Sequence, residues 1–466
     1  MKRMNTVPGG FAGIVLTALC MCTGCASVQP PAAGTAGTSA QKEYALSNGI
    51  PVYVKENDAS QLVTVYIVIK GGTALLAPEQ SGLENSLAEM MKDGSASYTY
   101  ESIQKLMYRT QSGFFSFALN EGSGLGIECI DYYLDDMLPV LVDGLLHPAY
   151  GQKEYETMMN EYNQMLQTRM NDPQSLCFYT MTHTLYKGHP YQTEVQPTAE
   201  SMQYITVENM KNLHEKLLDA RRIAVIAAGK VDGKKLAASL EKTLGTIPAG
   251  SGAFTVPVIP PVQVTGAPVV QTLEAAKGTG IMIQAFASPA VTDKDSIAAA
   301  LAADMYGDIL FRIVREKYGA CYTPWCGLEP SAASVGMVAL ISVSNLEKAS
   351  QYVQEAQALM AQGKVIVGKD EGGNFQYASI ADRLESYKNS YINSRYESVQ
   401  TSRGVAGRMA GSLLAYGDTR TSDTVVDKAR AVTAEDISRV FDTYWVKGSK
   451  QWFAVVGPGD EKRIKF

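Results

Sequence analysis

The chain has 466 residues, with 47 acidic and 41 basic side chains and a formal charge of −6, a balance that argues against a nucleic-acid partner. Its length exceeds what one hydrophobic core organises and suits two or three domains. Beyond residue 25, Cys129, Cys177, Cys321 and Cys326 stand scattered without C-x-x-C spacing, which indicates neither a metal knuckle nor a disulfide framework. Buried free thiols are expected, with Cys321 and Cys326 on opposite faces of a strand.

Residues 1–24 read as a secretory signal. Lys2 and Arg3 precede an apolar run from Phe11 to Met21, shorter than the roughly 20 residues that span a bilayer. The run ends in Cys22-Thr23-Gly24-Cys25, which resembles a bacterial lipobox, although Cys22 stands where Leu is usual. The resemblance implies lipidation of Cys25; the alternative is simple cleavage near Ala26. Residues 25–42, rich in Ala, Gly, Ser, Thr and Pro, read as a flexible tether. The expectation is an exported chain, lipid-anchored in the cell membrane or outer membrane and facing the periplasm or exterior.

The folded part opens with a hairpin around Asn48-Gly49, the strongest short turn signal. A β-branched strand, Leu62 to Ile69, stops at Gly71-Gly72. Helices are predicted from Ser81 to Lys92 and Tyr100 to Thr110, then strands at Phe114–Leu119 and Leu125–Cys129. Helical periodicity returns over Asp131–Leu146, Gln152–Met170 and Pro173–Tyr186. A helix capped by Thr206 and a strand, Arg222–Ala228, close the first half. A Pro/Gly-rich linker, 247–268, follows. The second half reads as strands Val269–Leu273 and Gly280–Phe286, a long Ala-rich helix from Thr292 to Lys317, strands Tyr322–Leu328 and Gly336–Val343, several helices and a last strand.

The halves end alike. Thr206-Val-Glu208 leads through Leu213 to a strand and Gly229-Lys-Val-Asp232; Thr433-Ala-Glu435 leads through Val440 to a strand and Gly457-Pro-Gly-Asp460. Each begins with an N-cap Thr before an apolar-periodic run. The matched landmarks point to duplication. Two domains follow, 43–246 and 269–466.

These landmarks in order resemble the insulinase/pitrilysin family of zinc peptidases: Leu46-Ser-Asn-Gly-Ile50, Gly71-Gly72, Ser81-Gly82-Leu83 opening a helix that closes at Gly94-Ser95, Glu161 before Asp172-Pro173, Gly188-His189-Pro190-Tyr191, and Arg315-Glu316-Lys317-Tyr318-Gly319 before Tyr322. The resemblance implies an α+β fold of two related lobes enclosing a chamber, each a mostly antiparallel sheet with helices on one face. Active members carry H-x-x-E-H on the helix after the Gly-Leu landmark. Two imidazoles at i and i+4 bind zinc, the Glu activates the metal-bound water, and a Glu from a later helix completes the ligands. Here that motif falls at Asn85-Ser86-Leu87-Ala88-Glu89, so Asn85 and Glu89 replace the histidines and Ala88 the base. Glu161 aligns with the distal ligand as a relic. Asn is a poor zinc ligand and Ala cannot take a proton, so no zinc bound by this chain is expected. His147, His183, His189 and His214 form no i,i+4 pair and read as surface or packing residues.

The resemblance also implies substrate binding by an Arg and a Tyr seven residues apart, here Arg315 and Tyr322. The Arg grips a substrate carbonyl, and the Tyr hydroxyl donates to a developing oxyanion. In heterodimeric bacterial members one subunit carries zinc and the other the Arg/Tyr pair, and this chain resembles the second. The expectation is a non-zinc, substrate-binding partner of a zinc-bearing homologue, acting on peptides or unfolded polypeptides in the cell envelope. The alternative is an inactive scaffold or peptide-binding lipoprotein.

Overall fold

The computed structural model describes residues 40–466; the signal-like segment, Cys25 and most of the tether lie outside the described residues. In the first half β1 (Lys42–Ala45) and β2 (Pro51–Glu56) meet at the Asn48-Gly49 turn, with Gly49 at φ 88°. The Asn48 amide pins that turn to the carbonyls of Leu244 and Ile247, at 2.7 and 2.9 Å. There follow β3 (Leu62–Lys70), α1 (Leu83–Lys92), α2 (Tyr100–Thr110), β4 (Gly113–Ala118), β5 (Gly122–Ile130) and α3 (Leu134–Leu146). Then come α4 (Gln152–Asn171), α5 (Pro173–Leu185), α6 (Val207–Leu217), β6 (Ile223–Gly229) and α7 (Gly233–Glu241).

The second half runs β7 (Val269–Thr272), β8 (Gly280–Ala287), α8 (Ser296–Leu310), β9 (Cys321–Leu328), β10 (Val335–Val343) and α9 (Ala349–Ala361). A small hairpin, β11 (Lys364–Lys369) and β12 (Phe375–Ser379), precedes α10 (Ile380–Glu397), α11 (Ser402–Tyr416), α12 (Val425–Ala431), α13 (Ala434–Phe441) and β13 (Lys450–Val456).

The two sheets share one topology over five strands, and the first adds β1 at its edge. The first is ordered β1-β2-β6-β3-β5-β4 and the second β7-β13-β8-β10-β9. In both, a single parallel pair, β2 with β6 and β7 with β13, sits beside antiparallel ladders. Each closing strand follows a helix capped by its threonine: Thr206 accepts from the Asn209 amide and Thr433 from the Asp436 amide, both at 3.1 Å. This is a duplicated fold of two lobes.

Each lobe's own helices cover one sheet face. In the first, Val63, Val65, Ile67 and Ile69 of β3 pack beneath Leu87 of α1, Leu141 of α3 and Met210 of α6. The opposite face is also buried, and the helix that covers it comes from the other half. Met409, Ala410 and Leu413 of α11 lie on Tyr66, Val68 and Ile226 of the first sheet. Reciprocally, Leu176, Cys177 and Met181 of α5 lie on Ile283, Phe453 and Val455 of the second sheet, in a core that also takes Val262 and Val264 from the linker. The described residues, 40–466, therefore form one compact unit.

Three local readings need correction. The helix predicted from Thr292 starts at Ser296, and its last stretch, Phe311–Lys317, is a wider π-type turn. Helix α7 and the β11–β12 hairpin were not foreseen. Cys321 and Cys326 do lie in one strand, yet both pack against the second lobe's helical core. Near the Cys321 end, pairing of β10 with β8 slips between Leu340 and Val343 around the left-handed Ser342 (φ 59°). Among the described residues no helix is long and apolar enough to cross a membrane.

Candidate functional site

Helix α1 is fixed at its start by the segment around Glu194–Pro197. The Glu194 amide donates to Ser81 Oγ at 2.9 Å, and the Gly82 amide donates back to the Glu194 carbonyl at 3.0 Å. Gly82 sits at φ +80°, and a Cβ there would meet Pro197 N at 2.6 Å. The Ser-Gly-Leu landmark is thus a clamp: the hydroxyl holds the neighbouring strand of backbone and only glycine fits beneath it.

Downstream, every member of the motif has a local occupation. Asn85 Nδ2 donates to Tyr162 Oη of α4 at 2.9 Å, and the Tyr162 hydroxyl lies 3.2 Å from Ser86 Oγ, whose own proton goes to the Gly82 carbonyl at 2.7 Å. Burial pushes the Tyr162 hydroxyl up to about 12, and the Glu89 and Glu161 carboxylates push in the same direction. Ala88 is fully buried in the first lobe's core. Glu89 accepts from Ser116 Oγ of β4 at 2.6 Å and pairs with the Lys92 ammonium at 2.5 Å.

Glu161 is exposed, and it is the next residue, Tyr162, that turns toward α1. The phase of α4 explains this. Met158, Tyr162 and Arg169 form its buried edge, and that spacing in the sequence could have singled out Tyr162. Among the described residues no group of three or more His, Cys, Asp or Glu side chains is placed to hold a metal ion. The donor set does not fit a catalytic zinc ion. The amide at 85 is spent on a hydroxyl, the carboxylate at 89 already holds an ammonium, and a methyl stands where a base would be needed.

The histidines have other partners. His147 bonds Asp143 at 2.9 Å, and His183 lies 3.5 Å from Glu194. His189 Nδ1 accepts from the Tyr191 amide while its Nε2 reaches the Pro260 carbonyl at 2.9 Å, which ties the Gly-His-Pro-Tyr segment to the linker. His214 is buried against the Leu145 carbonyl at 2.6 Å, and burial lowers its pKa.

A buried acid escaped the sequence reading. Glu84, in the first turn of α1, is 1 % exposed, and among the described residues neither carboxylate oxygen has a hydrogen-bond partner. Burial raises its pKa, only partly opposed by Ser123 and Arg222.

Arg315 and Tyr322 do come together. The wide turn that ends α8 carries Arg315, and β9 carries Tyr322. The guanidinium carbon lies 4.6 Å from the centre of the Tyr322 ring and 4.9 Å from that of Phe311, so two aromatic rings hold it. Tyr322 is 67 % exposed. Phe311, four residues before Arg315, was missed; its i,i+4 spacing was the available signal.

Residues 204–366 match the peptidase M16 inactive domain. The non-peptidase homologue YmxG of Helicobacter pylori is 20% identical over 201 residues, 43% of this chain and 46% of that protein. The mitochondrial-processing peptidase subunit beta of Caenorhabditis elegans is 21% identical over 223 residues, 47% of this chain and 48% of that one. The chain thus matches just under half the length of these curated relatives.

Among solved structures, a protease from Helicobacter pylori superposes with a TM-score of 0.78 at 14% identity, covering 90% of this chain and all of that one. A peptidase M16 inactive domain from Pseudomonas fluorescens gives 0.75 at 14% identity over 90% of this chain and 98% of that chain. The periplasmic protease PqqL of Escherichia coli gives 0.72 at 15% identity, over 96% of this chain and 49% of that one. These likenesses establish the fold. With the match of residues 204–366 and the non-peptidase homologue among the relatives, the chain is similar to inactive homologues of the insulinase/pitrilysin peptidases.

Proposed function

We propose that this chain is the non-zinc, substrate-binding subunit of a two-chain zinc endopeptidase acting on peptides or unfolded polypeptides. The observation that carries the reading is the contrast between the lobes. The positions aligned with the zinc motif are bonded to their own neighbours, whereas Arg315 and Tyr322 stand together with the Tyr322 ring exposed. In this reading Arg315 and Tyr322 serve the partner's active site by holding substrate, and zinc resides in the partner. Export and attachment through Cys25, in the cell or outer membrane, belong to the same proposal and rest on the sequence alone.

The test is reconstitution. The purified chain is expected to contain no stoichiometric zinc by elemental analysis and to cleave no unfolded polypeptide. Mixing with a zinc-bearing homologue of similar length restores cleavage, and Arg315→Gln or Tyr322→Phe abolishes the restored activity. Zinc-dependent cleavage by the isolated chain would overturn the proposal.

A second reading, an inactive scaffold or peptide-binding lipoprotein, is favoured by the closed network around Asn85 and Glu89, which needs no partner for its completion. It predicts that the Arg315 and Tyr322 variants leave a reconstituted pair fully active.

A further inference from the structure

The surroundings of Arg315 say what kind of group it holds. Among the described residues its guanidinium has neither an ion pair nor a hydrogen bond, and its contacts are the faces of Phe311 and Tyr322. A guanidinium held by ring contacts and not by hydrogen bonds keeps its N–H donors for a ligand, and a fork of such donors matches a carboxylate in bidentate fashion.

The nearby charges favour an anion. Glu316 is shared by Arg312 at 2.7 Å and Lys369 at 3.7 Å, and Glu355 is taken by Lys317 and by the Tyr318 hydroxyl, at 2.7 and 2.8 Å. Four cations, with Arg315 counted, therefore face two carboxylates, on a chain whose formal charge is −6. This is a local positive field with one pre-oriented, uncommitted donor fork.

We propose that Arg315, Phe311 and Tyr322 form a carboxylate-binding site, with Phe311 as the positioning residue that aims the guanidinium. The ligand is a carboxylate of a bound peptide, from its C-terminus or from an acidic side chain. The proposal rests on the peptide-binding reading above and gives it a substrate class.

The experiment uses fluorescence anisotropy on the purified chain with a short, unstructured, fluorescein-labelled peptide of Gly, Ser, Ala and Leu. Three forms are compared: free C-terminal acid, C-terminal amide, and amide with one internal Asp. The acid is expected to bind about tenfold more tightly than the plain amide, the scale of one charge-assisted hydrogen-bonding contact. Binding of the Asp-bearing amide at the acid's affinity assigns the carboxylate to side chains as well; binding at the plain amide's affinity assigns it to the C-terminus. Arg315→Gln abolishes the preference. Phe311→Leu weakens it while the circular dichroism spectrum stays that of the native chain. Equal binding of all three forms, or a preference that survives Arg315→Gln, overturns the carboxylate site and leaves peptide binding standing. Failure of every form to bind overturns the peptide-binding reading itself.

Discussion

The Asn85 side-chain amide donates to the Tyr162 hydroxyl across 2.9 Å, and this bond joins helix α1 to helix α4. It engages the position that family resemblance aligns with the first zinc-binding histidine. Tyr162 is 7 % exposed, so its hydroxyl depends on protein partners rather than solvent.

Tyr162→Phe removes the hydroxyl that both Asn85 and Ser86 contact. Ser86 keeps the Gly82 carbonyl as a partner at 2.7 Å, and Asn85 is only partly buried, so the loss is moderate. We expect a destabilisation of about 1–2 kcal/mol, read from the midpoint of urea unfolding. An unchanged midpoint would mean that the α1–α4 bond contributes nothing in solution.

Restoring the motif residues should not restore a metal site. In the triple variant Asn85→His, Ala88→Glu, Glu89→His, the new carboxylate at 88 enters a position that is fully buried in the first lobe's core. The new imidazole at 89 also leaves Lys92, among the described residues, with only Asp93, at 3.4 Å, as an acidic partner. An unpaired buried carboxylate costs about 3–5 kcal/mol. The expected outcome is a less stable protein without stoichiometric zinc, measured by denaturation and elemental analysis on the same sample.

Much of this was legible in the sequence, and the failures have physical causes. Asn48-Gly49, Thr206 and Thr433 act locally, so their turn and caps could be read without knowing the fold. Arg315 and Tyr322 lie close in sequence, across a helix end and the next strand. Glu161 is singled out by the resemblance because a carboxylate is the expected ligand chemistry, whereas the helix phase points its neighbour Tyr162 inward. The sequence places α5 as a helix and leaves α11 among several unplaced helices of the second half, and nothing in their own periodicity states that each covers the other half's sheet. Such a contact joins distant segments, and only the tertiary structure specifies it.

Gly82 tests the clamp at the head of α1. Any side chain there must adopt φ +80° and push Pro197 aside. The left-handed conformation alone costs an L-residue about 1–2 kcal/mol, and displacing Pro197 adds to it. Gly82→Ala is expected to lower the thermal midpoint by several degrees, on the order of 2–4 °C per kcal/mol in a large domain. A variant as stable as the native chain would show that the Glu194–Pro197 segment yields freely.

Glu84 gives a pH signature. Burial raises its folded pKa above the ordinary value of 4.5, so the folded chain keeps a proton that the unfolded chain releases. Its contribution to stability is therefore complete below the unfolded value and is lost as pH rises through the folded value. Glu84→Gln is neutral at every pH. The variant should gain stability over the native chain as pH is raised from mildly acidic to neutral, with the gap closing in acid. A gap that widens toward acid would mean that Glu84 is ionised in the folded state, held so by Arg222.

The exchange of α5 and α11 makes a prediction about the halves as separate chains. Residues 43–246 alone would keep α5 but lose α11, which exposes Tyr66, Val68 and Ile226 on the bare sheet face. They would also carry Leu176, Cys177 and Met181 on a helix with no sheet to cover. Residues 269–466 face the reciprocal loss at Ile283, Phe453 and Val455. Burying one such side chain contributes roughly 1.5–3 kcal/mol, so several exposed together exceed the few kcal/mol by which a domain is usually stable. Each half expressed alone is expected to aggregate or to bind a hydrophobic dye, and co-expression is expected to yield a soluble complex with both helices in place. Two halves that each fold as dye-negative monomers would mean that the exchanged helices are accessory, and that the lobes are held by the linker contacts of His189, Val262 and Val264 instead.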